Sequence, residues 1–338
     1  MRTPHRSLVA LALGGSLVLA GCGSSSDDGG SGSTASGGDT KVAAVIKGLD
    51  NPFFQAMEQG IDEQADQDGV DATVQAAQSI TDTTGQSDKL TALAQQDYGC
   101  FVVNPISGSN LVNGLARISA SDTPVVNIDS PVDADAAEEA GVDIATYIGT
   151  DNTEAGGKAG DEMVEAVSSG KVALVGGISG DVTSNARLDG FTQAVDGKLD
   201  VVQTVAADWE RQKALTAATT LMQDNPDLKG FFAANDDMGL GIVQAVKNAG
   251  KADSITVISV DGNKDALQSV KDGDLHATVA QYPYAIGQLG VQACEKAAAG
   301  DDLPAEIVSP TAVVTSGVAD QALAKFPAPF ESFDNPLD

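Results

Sequence analysis

Eleven side chains fall just beyond short apolar runs of the chain, and together they define a chemistry. Asn51, Phe53 and Phe54 follow "VAAVI" in the stretch "LDNPFF"; Asp129 and Ser130 follow "PVVNI". Arg187 opens the helical pattern after "KVALVGG", and Trp209, the only tryptophan, follows "LDVVQTVAA". Asn235 and Asp236 follow "GFFAA", Asp261 follows "ITVISV", and Gln281 ends "HATVAQ". An ionised Asp only accepts hydrogen bonds, Arg only donates, and Asn and Gln do both. Vicinal hydroxyls on a sugar or polyol need donors and acceptors together. Flat aromatic rings suit the apolar C–H face of such a ring, so Phe53 and Phe54 are expected on one wall of a slot and Trp209 on the opposite one.

Each residue alone has a plainer reading. Phe53 or Phe54 could simply pack a core. Asp129, Asp261 and the Asn235–Asp236 pair could be helix N-caps. Arg187 could pair with Asp189 on the surface. Their shared place at strand exits is what raises the set, because ligands of open parallel sheets bind beyond the carboxyl ends of the strands.

The elements that must position them alternate regularly. Apolar runs at 42–46, 71–76, 100–104, 124–128, 145–149, 171–177, 199–207, 230–235, 255–260 and 276–281 read as strands. Helical patterns lie between them at about 53–68, 86–97, 109–120, 153–169, 183–196, 209–224, 237–249 and 263–272, and one more fits 284–299. Near-continuous apolar strands separated by helices predict parallel sheets covered on both faces, an α/β fold. Ten strands are wide for one sheet, so two similar halves are expected, divided near 149–152. The length of 338 residues agrees with about two domains. Pro52 suits a first helical turn, and Asp151, Asn152 and Thr153 offer N-cap oxygens. Gly156, Gly157 and Gly160 inside one helix predict close packing of that helix on its sheet. "GGISGD" (176–181) lacks both the GxGxxG spacing and a Walker lysine, which argues against a nucleotide loop.

The ends of the chain read differently. Arg2, His5 and Arg6 precede an apolar run at 7–20, and "LAGC" closes it at Cys22. This pattern resembles a bacterial lipobox, which makes residues 1–22 a signal peptide and Cys22 a lipidated first mature residue. An ordinary cleaved signal peptide or a short anchor helix is the plainer alternative. Residues 23–40, rich in Gly and Ser, read as a flexible tether. The formal net charge is -29. Such a body repels phosphate backbones, so nucleic acid is excluded as a partner. With three cysteines, two histidines and no CxxC spacing, no metal site is expected, and no cofactor motif stands out. Cys100 and Cys294 are open between a disulfide and two buried thiols.

The residues also carry a family resemblance. "LDNPFFQAMEQGIDEQA", "VVNP", "PVVNIDS", "IGTDNTEAGGKAGD", "NARLDGF", "FFAANDDMGLGIVQAVKNAG", "ISVDGN" and "ATVAQYPYAIGQLG" occur in order over residues 41 to about 314. This stretch resembles the periplasmic pentose- and hexose-binding proteins of ABC importers, the ribose-binding type above all. The resemblance implies two Rossmann-like, doubly wound parallel-sheet lobes joined by three hinge crossings. The first lobe would be 41–150 plus 282–309 and the second 151–281 plus 310–320. Residues 321–338 form a tail with no place in the family pattern, and its three phenylalanines are expected to pack on a lobe. It implies ligand contacts at Asn51, Phe53, Phe54, Asp129, Arg187, Trp209, Asn235, Asp261 and Gln281. Ser130 stands where the ribose-type pattern has Arg, which removes a five-donor fork, and Trp209 stands where Phe is frequent. Both departures put ribose itself in doubt and leave another pentose, a hexose or a polyol open. The segment 131–146 is longer than the family pattern and is expected at the cleft mouth.

The function so implied is a lipid-anchored extracytoplasmic monomer that captures a monosaccharide or polyol and delivers it to ABC permease subunits. It would touch the membrane only through its anchor and have no catalytic residues. Three other functions compete with this reading. A repressor of the related lactose-repressor class would need an N-terminal helix-turn-helix and basic charge. An exported sugar-processing enzyme could use Asp129 and Asp261 as a carboxylate pair. A chemoreceptor-coupled or signal-molecule receptor of the same fold is not separable by sequence.

Overall fold

The computed structural model describes residues 40–338. Ten strands lie where apolar runs place them: β1 (Lys41–Ile46), β2 (Asp71–Ala76), β3 (Cys100–Val103), β4 (Val125–Ile128), β5 (Thr146–Thr150), β6 (Lys171–Gly176), β7 (Asp200–Ala206), β8 (Leu228–Ala233), β9 (Thr256–Asp261) and β10 (Ala277–Ala280). Two more were not anticipated, β11 (Glu306–Ser309) and β12 (Ala312–Thr315). Each has four residues and sits at a sheet edge, too short for a clear pattern.

The helices are α1 (Pro52–Asp68), α2 (Thr83–Leu93), α3 (Val112–Ser119), α4 (Ala134–Ala140), α5 (Asn152–Val167), α6 (Val182–Val195), α7 (Arg211–Asp224), α8 (Asp236–Asn248), α9 (Lys264–Lys271), α10 (Pro283–Ala299) and α11 (Ala319–Lys325). Sequence reasoning missed α4 and α11, of seven residues each. It also began α2 three residues late. Asp82 caps that helix, its Oδ1 accepting from the Gly85 N–H at 2.9 Å.

The strands form two six-stranded sheets, in the orders β11-β5-β4-β3-β1-β2 and β12-β10-β9-β8-β6-β7. All pairings are parallel except β10 with β12. The same winding therefore occurs twice, giving two α/β lobes. Each sheet separates two apolar clusters, one per face, as parallel strands buried on both sides require. The chain crosses between lobes three times: from β5 to α5, from β10 to α10, and from β11 to β12.

Three details correct or close sequence expectations. The glycines of α5 serve helix–helix contact, not helix–sheet contact. A Cβ on Gly156 would overlap the Arg187 carbonyl of α6, and one on Gly160 would press on Ala194 and Phe191. Cys100 on β3 and Cys294 on α10 form a disulfide with a Cα–Cα distance of 5.6 Å. The tail packs on both lobes. Phe326, Phe330 and Phe333 join the second lobe's core, while Phe333 and Leu337 join the first lobe's. The leader, Cys22 and nearly all of the tether lie outside the described residues.

Candidate functional site

In each sheet the winding reverses direction beside the first strand, between β1 and β3 and between β6 and β8. Such switch points leave a crevice at the carboxyl ends of the strands. The two crevices face one shared cavity, lined by side chains of both lobes. Nine of the eleven residues singled out from sequence line it: Asn51, Phe53, Phe54, Asp129, Ser130, Arg187, Trp209, Asn235 and Asp261. Gln281 does not reach the lining. It stands behind Asp261, donating from Nε2 to Asp261 Oδ1 at 2.7 Å.

The plainer readings turn out partly true as well. Asn51 and Asn235 cap α1 and α8, each Oδ1 accepting a backbone N–H at 2.9 Å. Capping fixes the amide orientation and leaves each Nδ2 as the donor group. Phe53 and Phe54 are 4% and 7% exposed and belong to the first lobe's core while also lining the cavity. Asp129 and Asp261 cap nothing. Arg187 pairs not with Asp189 but with Asp261, Nη1 to Oδ1 at 3.2 Å. Its Nη1 also donates to the Ala234 carbonyl at 2.6 Å and its Nε to Asn152 Oδ1 at 2.8 Å. Three acceptors on one guanidinium hold it in a single orientation.

Sequence reasoning missed Lys47, Asp181, Thr183 and the apolar Ile80, Ile106 and Ile178, all of which line the cavity. Lys47 was detectable, since it is the first residue after β1. Its Nζ donates to Ser130 Oγ at 2.6 Å and lies 3.8 Å from Asp129 Oδ2. It also sits 5.4 Å from the centre of the Phe54 ring. In the second lobe the Arg187 Cζ lies 5.9 Å from the centre of the Trp209 ring. Each lobe thus presents a cation, a carboxylate and an aromatic plate. The cation missing at position 130 is supplied from another strand.

Backbone strain marks the same place. Asp129, Trp209 and Asp261 have φ of 60°, 64° and 137°, and Asp208 has 52°. Non-glycine residues rarely adopt such values, and surrounding contacts must hold them there. The Asp129 N–H donates to the Ile148 carbonyl at 2.8 Å, and the Tyr147 hydroxyl donates to the Asp129 carbonyl at 2.7 Å. Trp209 lies against Gly177, where a Cβ would overlap the indole.

Burial pushes the Asp261 carboxyl above the usual range. Arg187 opposes this, and the nearby carboxylates Asp236 and Asp129 add to it. Asp236, behind the site, is also raised by burial, against hydrogen bonds from Ser259 at 2.5 Å, Thr278 at 2.7 Å and the Asn263 N–H at 2.7 Å. It ties the ends of β8, β9 and β10 together.

A second groove adjoins it, sharing Ile106, Ser130, Ile178, Asp181 and Thr183 with the cavity. Of the segment 131–146, Pro131 reaches this groove and α4 packs on α3. Among the described residues there is no cluster that could hold a metal ion, and no helix long and apolar enough to cross a membrane.

Two wound α/β lobes with a polar, aromatic-walled cavity between them define the type I periplasmic-binding-protein fold. The chain belongs to the periplasmic binding protein domain family, whose model matches residues 42–302. It is 34% identical over 264 residues to the D-allose-binding periplasmic protein of Escherichia coli (strain K12), covering 77% of this chain and 85% of that one. It is 35% identical over 275 residues to the ribose import binding protein of Bacillus subtilis (strain 168), covering 81% and 87%. A crystal structure of an ABC transporter periplasmic solute binding protein from Actinobacillus succinogenes 130z, with bound D-allose, superposes with a TM-score of 0.79 at 28% identity. It covers 84% of this chain and 100% of that one.

Proposed function

We propose that the protein is a lipid-anchored extracytoplasmic receptor that captures a monosaccharide or related polyol between its lobes and delivers it to an ABC-type importer. The observation that carries this reading is the shared cavity, where each lobe contributes a cation, a carboxylate and an aromatic plate. A neutral, hydroxyl-rich ring matches that set. Its hydroxyls donate to Asp129 and Asp261 and accept from Lys47, Arg187, Asn51 and Asn235, and its C–H faces meet Phe54 and Trp209. The bound ring touches both lobes, so it favours closure. The relatives named for allose and ribose support the sugar class. Lys47 in place of an arginine at position 130 favours a sugar other than ribose.

No chemistry is assigned to the site. Arg187 and Gln281 both donate to Asp261 Oδ1, which suits a fixed acceptor for a ligand hydroxyl. Cys22 would carry the lipid anchor, and the receptor would work as a monomer with the permease as its partner.

Trp209 is the only tryptophan and lines the cavity, so its fluorescence tests the reading. Residues 23–338, produced without the anchor, are titrated with pentoses, hexoses and polyols, D-allose first. A saturable change with one sugar class supports the proposal. A folded protein that responds to none of them, by fluorescence or by melting temperature, overturns it.

A further inference from the structure

The tail lies beyond residues 42–302, which the family model matches, and its packing gives it a task. The α11 helix rests on α9 and β12 of the second lobe. Phe326, Pro327, Ala328 and Phe330 then close a small cavity behind the ligand site, whose other walls include Asp261, Gln281 and Tyr282. Phe330 is 8% exposed. Phe333 packs against the cores of both lobes at once. Beyond it the chain belongs to the first lobe. Leu337 is buried in that core, and Asn335 donates from Nδ2 to Gln292 Oε1 of α10 at 3.0 Å.

One segment of thirteen residues is thus anchored on one lobe, passes the hinge and is anchored on the other. Hinge rotation moves the two anchors relative to each other, so their contacts survive together only over a narrow range of angles. The conformation in which both anchors are made is the one in which both lobes wall the ligand cavity. The same segment shuts water out from behind Asp261 and Gln281. Two polar atoms there, the Tyr282 hydroxyl and Gln281 Oε1, are buried without a partner among the described residues. Removing the cover would hydrate them and loosen the floor on which Asp261 is held.

We propose that residues 326–338 are a strap across the hinge that favours the ligand-competent arrangement of the lobes, with Phe333 as its central positioning residue. Its contribution to affinity is conformational. The apparent Kd equals the intrinsic value divided by the fraction of molecules in the competent arrangement, and the strap raises that fraction.

The test compares the chain 23–338 with a truncation ending at Lys325 and with Phe333→Ala. Spin labels at Asp66→Cys on α1 and Thr219→Cys on α7, both exposed, report the separation of the lobes without ligand. The strap predicts a broader distribution displaced to longer distances in both variants. It also predicts a sugar Kd raised roughly three- to tenfold, as a severalfold loss of the competent fraction requires. A lower melting temperature with unchanged distances and Kd would reduce the tail to packing and overturn the proposal. So would a shift to shorter distances. If the truncation does not fold, Phe333→Ala carries both readouts. The affinity arm rests on the sugar-binding reading and the distance arm does not, so failure of every sugar to bind leaves the strap decided by distances alone.

Discussion

Lys47 donates from Nζ to Ser130 Oγ at 2.6 Å, joining the exits of β1 and β4. This contact places a cation beside Asp129 although the residue following Asp129 is a serine. Lys47 is mostly buried, and its ammonium is held by Ser130, Asp129 and the face of Phe54. Lys47→Met keeps the length of the side chain and removes the charge. Hydrogen bonds to charged groups contribute about 1.5–3 kcal/mol, so the sugar Kd should rise roughly ten- to hundredfold at nearly constant melting temperature. Calorimetric titration beside a thermal scan decides it. An unchanged Kd would place Lys47 outside the contact set.

Gly177 offers a test of Trp209 that leaves the indole in the sequence. A Cβ at position 177 would overlap the ring, so Gly177→Ala must displace it. Overpacking of this kind costs about 1–3 kcal/mol. The expected outcome is weaker sugar binding and an altered emission maximum in a folded protein. Normal affinity would show that the position of the indole is not used.

Asp261 should make binding proton-linked. Its carboxyl is raised by burial above the usual aspartate value of about 3.9. The ligand-free folded state therefore keeps a proton to higher pH than the unfolded chain does. Hydroxyl groups donating to Asp261 favour the charged form and lower its pKa again, so binding releases protons above the ordinary aspartate range. Titration near neutral pH should be more exothermic in Tris, which takes up protons with release of heat, than in phosphate. Equal heats in the two buffers would count against hydroxyl donation to this carboxylate.

The Cys100–Cys294 disulfide should support stability without touching the site. It closes a loop of 194 residues, for which loop-closure entropy predicts about 5 kcal/mol. Both sulfurs are fully buried, so a strong reductant with mild denaturant, or the Cys100→Ala/Cys294→Ala pair, is the practical means. The melting temperature should fall while Kd, measured well below it, stays within twofold. A large loss of affinity would mean that the bridge also sets the lobe geometry.

Gly156 couples stability to the site. A side chain there would push against the Arg187 carbonyl on α6. Gly156→Val should lower the melting temperature and also raise Kd, because α6 carries the guanidinium that faces the cavity. A lower melting temperature with intact affinity would show that Arg187 is held by its partners Asn152, Ala234 and Asp261 and not by the helix position.

Much of this protein was legible one residue at a time. Alternating apolar runs and helical patterns define a parallel α/β fold because strands buried on both faces and helices buried on one carry different periods. The residues that line the cavity could be read as well, because Asn51, Asp129, Arg187, Asn235 and Asp261 sit where strands end, and strand ends are local features. What the chain order could not reveal is which side chains meet across those strand ends. Lys47 is visible as a strand-exit residue, but its contact with Ser130 exists only because β1 and β4 lie in one sheet. The glycines of α5 look like sheet contacts until α6 lies on them. Phe333 is one aromatic in a tail until both lobes close on it. Each depends on contacts between residues far apart in the chain, and those are set by how the sheets and helices pack together, not by any local period.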